Sequence, residues 1–405
     1  MAGSVMQDSV LVAGAGPVGL ALALALAQRD FEVALIDPSI SDETAPDSRV
    51  FALTPASRDF LQKLGLELGD CSQPVLQMAI ADCHGEGCDD EFDIRFGQRE
   101  GGEGEALAFT VKYGDLRVIL ENCVNRQSGI SLYANSHIET FESGDSGIRA
   151  ALTGDVSFEG ALCCAADGAR SARRREAGIA TVEHPYNRTG LGGVLTHEKP
   201  HEGVAYQYFF PAGPLALLPL PPDATALHRS GLVWVEKPDV AHALAQFDSH
   251  ELGHEVQQRI NDNLGEMQGE GPPGLWPLSF RLALEYVKPR LALVGDAAHG
   301  VHPLAGQGFN MGLKDVATLV NVLEDARRIG LDIGSLNVLE GYQRRRRFDN
   351  TALAMGLDGL HKVFGCPGSL PRFVRRLGLS VLDELTPLRQ SLERVAEQSG
   401  RRIVQ

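Results

Sequence analysis

Short uncharged runs that end in a glycine or an aspartate recur along this chain and predict its architecture. Val10-Leu11-Val12-Ala13 is apolar at every position, as a strand covered on both faces must be. Pro17 pre-sets a helical φ, and the Ala/Leu run from Leu20 to Ala27 predicts a buried helix. Val33-Ala34-Leu35-Ile36 is a second apolar run, closing at Asp37. Strand, helix and strand in so short a span predict a right-handed parallel crossover. The same rhythm of apolar run and polar turn returns twice, at Ala161 to Ala166 leading into Asp167-Gly168 and at Leu291 to Val294 leading into Gly295-Asp296.

Between about 181 and 275 the pattern changes to alternation rich in aromatics, which predicts antiparallel strands. Tyr206, Tyr208, Phe209 and Phe210 form one, Leu215 to Leu220 a second, and Leu232-Val233-Trp234-Val235 a third. Gly- and acid-rich residues 84–105 read as a surface excursion, and helical patterning resumes at Leu336 and runs to the end. The fold class is therefore α/β. Residues 1–72, 106–180 and 276–345 are expected to form a Rossmann-like domain. Residues 73–105 and 181–275 form an inserted antiparallel-sheet domain, and 346–405 a C-terminal helical segment.

Composition narrows the picture. A length of 405 residues suits two or three domains, each with its own core. The formal charge of −16 argues against general affinity for nucleic acid. Seven cysteines are an odd number for a disulfide framework, which favours a reducing compartment. Ser9 to Gln28 carries no charge and is long enough to span a bilayer, but Gly14, Gly16, Pro17 and Gly19 interrupt it. Strand, turn and helix explain it better. Cys83 and Cys88, with His84 between them, are too little for zinc, so no metal is expected. Arg344 to Arg347 read as a solvated helix face paired with acidic neighbours.

Gly14-Ala15-Gly16-Pro17-Val18-Gly19 is G-x-G-x-x-G between a predicted strand and helix. The first glycine permits the turn, the second lets a pyrophosphate approach the backbone, and the third allows close packing of helix on strand. Asp37 stands where a carboxylate accepts hydrogen bonds from a ribose. This pattern says dinucleotide without saying which. Asp167-Gly168-Ala169-Arg170-Ser171 and Gly295-Asp296-Ala297-Ala298-His299 follow two further apolar runs. An aspartate there can bind a ribityl chain, and Gly306 and Gly308 can bring backbone N–H groups to a flat ring. His299 and His302 flank that turn and read either as groups that sense charge there or as satisfied turn histidines.

Together these motifs resemble the FAD-dependent aromatic-ring monooxygenases with the para-hydroxybenzoate-hydroxylase fold. Val301-His302-Pro303-Leu304-Ala305-Gly306-Gln307-Gly308-Phe309-Asn310-Met311-Gly312-Leu313-Lys314-Asp315 resembles the signature of the hydroxylases of ubiquinone biosynthesis. Asp47 to Leu53, Gly213 to Pro219 and Tyr342 to Arg346 are similar to other segments of that group. The resemblance implies a Rossmann-like FAD-binding domain, an inserted substrate sheet and C-terminal helices. It implies that Gly14, Gly16 and Gly19 take the FAD pyrophosphate and that Asp37 takes the adenosine ribose. Arg49 would lie near the flavin or its phosphates, Asp296 on the ribityl or pyrophosphate, and Asp167 between FAD and a pyridine nucleotide. Arg174 would hold that last turn. The backbone from Pro303 through Gly306 and Gln307 to Gly308 would border the isoalloxazine, and no catalytic side chain is singled out. Two positions depart from the family: Arg173 replaces a small apolar residue, and Tyr113 replaces Gln or Arg.

The implied activity is hydroxylation of a polyprenylated phenol, with NADPH or NADH as reductant, O2 as oxidant and a flavin C4a-hydroperoxide as the reactive species. The Phe309 and Pro303-Leu304 variants favour 2-polyprenyl-6-methoxyphenol as substrate. Tyr206–Phe210 and Leu215–Leu220 would form an apolar wall for the prenyl tail. A cytoplasmic enzyme at the face of the inner membrane is implied, with Arg372, Arg375 and Arg376 as a candidate contact and other pathway proteins as partners. The alternatives are hydroxylation at another ring position, a non-catalytic flavin-binding assembly protein, and an NAD-dependent dehydrogenase. A flavin halogenase is disfavoured, since Trp234 and Trp276 form no Trp-x-Trp.

Overall fold

In the computed structural model, residues 8–38, 47–83, 87–88, 92, 94–97, 106–154, 156–224, 226–260, 262–300 and 307–364 are described. The first apolar run forms the strand Ser9–Ala13, buried along its whole length, and the helix Pro17–Ala27 follows it. That helix is apolar all round and buried all round, because it packs between the sheet and the helices Tyr113–Arg126 and Gln307–Arg328. The second run forms Glu32–Asp37 and pairs in parallel with Ser9–Ala13.

The two distant runs come back beside the first. Leu162–Ala165 pairs in parallel with Ser9–Ala13, and Leu291–Leu293 pairs in parallel with Leu162–Ala165. The sheet order is Val287–Lys288, Leu291–Leu293, Leu162–Ala165, Ser9–Ala13, Glu32–Asp37, Ile130–Ala134. Because the four central strands are parallel, the turns after Ala13, Asp37, Ala165 and Leu293 all open on one edge. Ligands bind at that edge in such sheets.

A nine-stranded sheet carries the aromatic strands. Its centre is antiparallel, as predicted: Thr181–His197 pairs with Arg229–Glu236, which pairs with Pro214–Leu220, which pairs with Val204–Phe209. Gln77–Asp82 joins in parallel beside Val204–Phe209, and Ile94–Gly97 pairs with it. Part of the 84–105 excursion is therefore a strand, and apart from residues 87, 88 and 92 the rest lies outside the described residues. Two helices also interrupt the predicted run of strands, Pro238–Leu244 and Ser249–Arg259. The second has a capping box, in which Asp248 accepts from Glu251 N–H and Glu251 reaches back to Asp248 N–H.

Strand alternation divides the aromatic residues in a way that composition did not reveal. Tyr206, Tyr208, Phe210, Leu215 and Leu217 pack with Leu244, Leu252 and Val256 of these two helices. The opposite face instead carries Val194, Leu218 and Leu220, which pack with Val50. Only the latter face can look toward the dinucleotide edge, so half of the predicted apolar wall points away from it. Cys83 and Cys88 form a disulfide beside the helix-covered core. By sequence these two cysteines come into question only as metal ligands, and no disulfide framework is expected; the structure has one local link between them. No cluster of metal-binding side chains occurs among the described residues. Nor is any described helix long and apolar enough to cross a membrane. Residues 365–405, including Arg372, Arg375 and Arg376, lie outside the described residues.

His197, at the end of its strand, gives this sheet a pH dependence. Its Nδ1 donates to the Lys199 carbonyl at 2.7 Å, so Nε2 accepts from the Ser230 hydroxyl at 3.0 Å. Burial pushes its pKa down to about 4, with His201 and His228 adding repulsion. A histidine held neutral in the fold stabilises fully above its unfolded pKa and loses that contribution as pH falls toward 4. Denaturant titrations at pH 7 and pH 5 should therefore differ by on the order of 2 kcal/mol more for the wild type than for His197→Gln. Equal slopes would remove His197 as the cause.

Candidate active site

The glycine loop is built as the sequence requires. Gly14 adopts φ +106°, and a Cβ there would overlap the Ala166 carbonyl. A Cβ on Gly19 would overlap the Gly14 carbonyl oxygen, so the helix crosses the loop at backbone contact. Gly16 differs, having no atom within 4 Å of where its Cβ would stand. It is also the N-cap of Pro17–Ala27 and supplies no side-chain cap. The helix N-terminus thus presents bare N–H groups and an open backbone face, which suits a pyrophosphate. Asp37 ends the next strand and accepts Ala15 N–H at 2.6 Å, which fixes its carboxylate at the loop's rim.

Asp167 and Asp296 reach the same edge. Asp167 Oδ2 accepts the N–H groups of Ala172 and Arg173 at 2.9 and 3.2 Å, while its Oδ1 is buried without a hydrogen-bond partner. Arg174 ties the turns together, donating to Ala297 O at 2.7 Å and to Ala169 O at 2.8 Å. Gly295 packs on Val18 of the glycine-loop helix, 3.1 Å from a Cβ placed there. Asp296 is solvent-accessible, yet protein surrounds it closely enough that burial raises its pKa, against the opposing pull of His299, Arg49 and Arg281. That combination describes a carboxylate that solvent reaches but that surrounding protein crowds.

Arg49 sits at the other wall. It chelates Asp47 through Nε and Nη2, at 2.9 and 2.6 Å, and lies over the Tyr113 ring at 4.4 Å. Tyr113, unassigned from sequence, is therefore Arg49's platform. Ser48 accepts Gly274 N–H at 3.0 Å and donates to Gly192 O at 2.8 Å, stitching this segment to the large sheet. Gln307 and Gly308 open the helix Gln307–Arg328, and the Gly308 Cβ position is open. Pro303, Gly306 and His302 lie outside the described residues. Phe309 stacks on Phe51, and Asn310 donates to Ala52 O and accepts Thr54 N–H, continuing that strand's pairing with a side chain.

Sequence reasoning missed a buried node behind the Gly295 turn. Asp315, fully buried, accepts from Gly295 N–H at 3.1 Å, His299 Nε2 at 2.6 Å, Arg346 Nε at 2.8 Å and Asn350 Nδ2 at 3.0 Å. Burial opposes its ionisation, but His299 and Arg346 more than compensate and hold its pKa below the ordinary carboxylate range. Arg346 thus belongs to the core, correcting the solvated reading of that arginine; Arg344 does pair with Glu340 at the surface. An acidic residue facing an i, i+4 pair of Arg and Asn was the available signal. Arg173, the departure from the family, is buried, donates to Glu176, and leaves Nη1 without a partner.

These residues fit an extended dinucleotide: an uncapped helix end, an open glycine face, a buried carboxylate oxygen awaiting a donor and an accessible aspartate on adjacent strand ends. Residues 7–351 match the FAD binding domain family. The chain is 35% identical over 392 residues to ubiquinone hydroxylase UbiL of Rhodospirillum rubrum, covering 96% of this chain and 89% of that one. It is 32% identical to 3-demethoxyubiquinol 3-hydroxylase of Escherichia coli, covering 95% and 97% of the two chains. In fold it is similar to p-nitrophenol 4-monooxygenase PnpA of Pseudomonas putida, with a TM-score of 0.75 at 19% identity over 93% and 94% of the chains. It is similar as well to PqsL of Pseudomonas aeruginosa, at 0.74 and 20% over 88% and 96%. Fold and site define an FAD-dependent monooxygenase. The chain belongs to the FAD binding domain family and, within it, to the ubiquinone hydroxylases.

Proposed function

We propose that this enzyme hydroxylates the ring of a polyprenylated phenol on the way to ubiquinone, taking 2-polyprenyl-6-methoxyphenol as substrate at the membrane face. The stoichiometry is ring C–H plus O2, NAD(P)H and a proton giving ring C–OH, water and NAD(P)+. Bound FAD supplies the redox chemistry that activates O2. The chain supplies position and dryness. The Gly14–Gly19 loop and the N-terminus of Pro17–Ala27 hold the pyrophosphate, with Asp37 at the adenosine ribose. Asp296 would hold the ribityl or pyrophosphate, Asp167 would serve both FAD and the pyridine nucleotide, and Arg49 would lie near the flavin or its phosphates. The second sheet, through Val194, Leu218 and neighbours on the same face, excludes water from the ring.

One observation carries this reading. The glycine loop, Asp167 and Asp296 stand on three adjacent parallel strands, and Ser48 fastens the neighbouring segment to an apolar sheet. Protein reconstituted with FAD should show flavin absorbance near about 450 nm. Its NADPH oxidation should rise roughly tenfold or more with 2-methoxyphenol carrying a short prenyl chain, yielding the hydroxylated ring. A protein that cannot be reconstituted, or one indifferent to every prenylphenol, overturns the proposal. The quinone intermediate that accumulates in cells lacking the protein identifies the ring position.

A further inference from the structure

We infer that Trp276 is the shelf on which the substrate's aromatic ring lies, an inference that rests on the reading above. The register pairs Gly190 with Trp276 and Gly192 with Gly274 across two antiparallel strands. A Cβ on Gly190 would stand 2.5 Å from the indole Nε1, and one on Gly192 would overlap Cη2. The indole therefore lies flat along the strand, its five-membered ring over Gly190 and its six-membered ring over Gly192. Only glycine at both positions permits that. One face of the ring is sealed by backbone, while the side chain as a whole is only half-buried.

Its surroundings place this plane on the cleft side. Leu191, between the two glycines, points the other way and packs with Trp234 in the helix-covered core. The six-membered end of the indole adjoins Gly274, whose N–H donates to Ser48 and whose Cβ position lies 3.8 Å from Cζ3. Ser48 also binds Gly192 O, and the next residue is Arg49, whose charge acts on Asp296. An aromatic plane thus lies beside the segment that leads to the flavin edge. Its single polar point, the indole N–H, sits at the Gly190 end. A methoxyphenol ring can stack on the plane, with its prenyl tail continuing over the apolar sheet.

Two tryptophans make this directly testable in the FAD-loaded protein. Trp234 is 1% exposed on the far face, so a change in tryptophan emission on adding 2-methoxyphenol bearing a geranyl chain reports Trp276. A saturable change is expected in the wild type and none in Trp276→Leu. KM for that compound should rise about tenfold in Trp276→Leu but under about threefold in Trp276→Phe, which keeps an aromatic plane. The yield of hydroxylated product per NADPH should fall, since a loosely held ring is missed. Gly192→Ala keeps the indole but lifts it, and should reproduce the loss with FAD content intact. If prenylphenol drives turnover in the wild type but KM and yield are unchanged in both Trp276→Leu and Gly192→Ala, the shelf is wrong and the hydroxylase reading stands. If the wild type ignores prenylphenols, both fall.

Discussion

Gly16→Ala is expected to leave the apoprotein as stable as the wild type and to weaken its hold on FAD by about 5- to 150-fold, the range of an overpacked contact of about 1–3 kcal/mol. The argument is steric and local. Nothing in the fold lies within 4 Å of the added methyl, so folding does not register it. The same open face is where the pyrophosphate meets the backbone, so the ligand does. Gly19→Ala is the counterpart. Its methyl would overlap the Gly14 carbonyl, so the helix must move off the strand, and both stability and FAD binding fall together. Thermal unfolding of apoprotein, set beside FAD fluorescence titration, separates the two variants. Wild-type FAD affinity in Gly16→Ala would mean that the pyrophosphate does not cross that face.

This contrast also shows why parts of the site were legible in the sequence. Glycines at 14, 16 and 19 are forced by backbone conformation or close approach, and such demands leave a fixed local spacing. The strands ending at Ala13, Asp37, Ala165 and Leu293 are covered on both faces, so each appears as an unbroken apolar run. Faces and partners are less visible. Tyr206 and Tyr208 look like a substrate wall in composition, but a period of two puts them against two short helices, one opened by Pro238 and the other capped by Asp248. Arg346 looks like its neighbours Arg344, Arg345 and Arg347, yet only its position along the helix turns it inward to Asp315. Gly190 and Gly192 gave no signal because their partner, Trp276, is more than eighty residues away and is fixed only by strand register.

Asp315→Ala is the second large effect, because it strands a buried guanidinium whose remaining acidic partner, Asp349 at 3.3 Å, is largely in solvent. Arg346 is 5% exposed and Asn350 1%, so removing the carboxylate leaves a buried guanidinium without its main partner, at a cost of about 3–5 kcal/mol. The loss also reaches the site. Gly295 N–H gives up its acceptor, and the turn carrying Asp296 is no longer held against the Gln307–Arg328 helix. FAD affinity should drop by about tenfold, in line with one unsatisfied buried N–H. Asp315→Asn, which keeps the shape and loses the charge, should fall between the two. The decisive variant combines Asp315→Ala with Arg346→Met. If the unpaired guanidinium dominates, the double variant is more stable than Asp315→Ala alone, because the charge and its carboxylate have gone together. Its FAD affinity nevertheless stays low, since Gly295 still lacks its acceptor. Stability losses that simply add in the double variant would show that Asp315 and Arg346 act independently, and the helix Leu336–Phe364 that carries Arg346 would then have no part in setting the flavin turn.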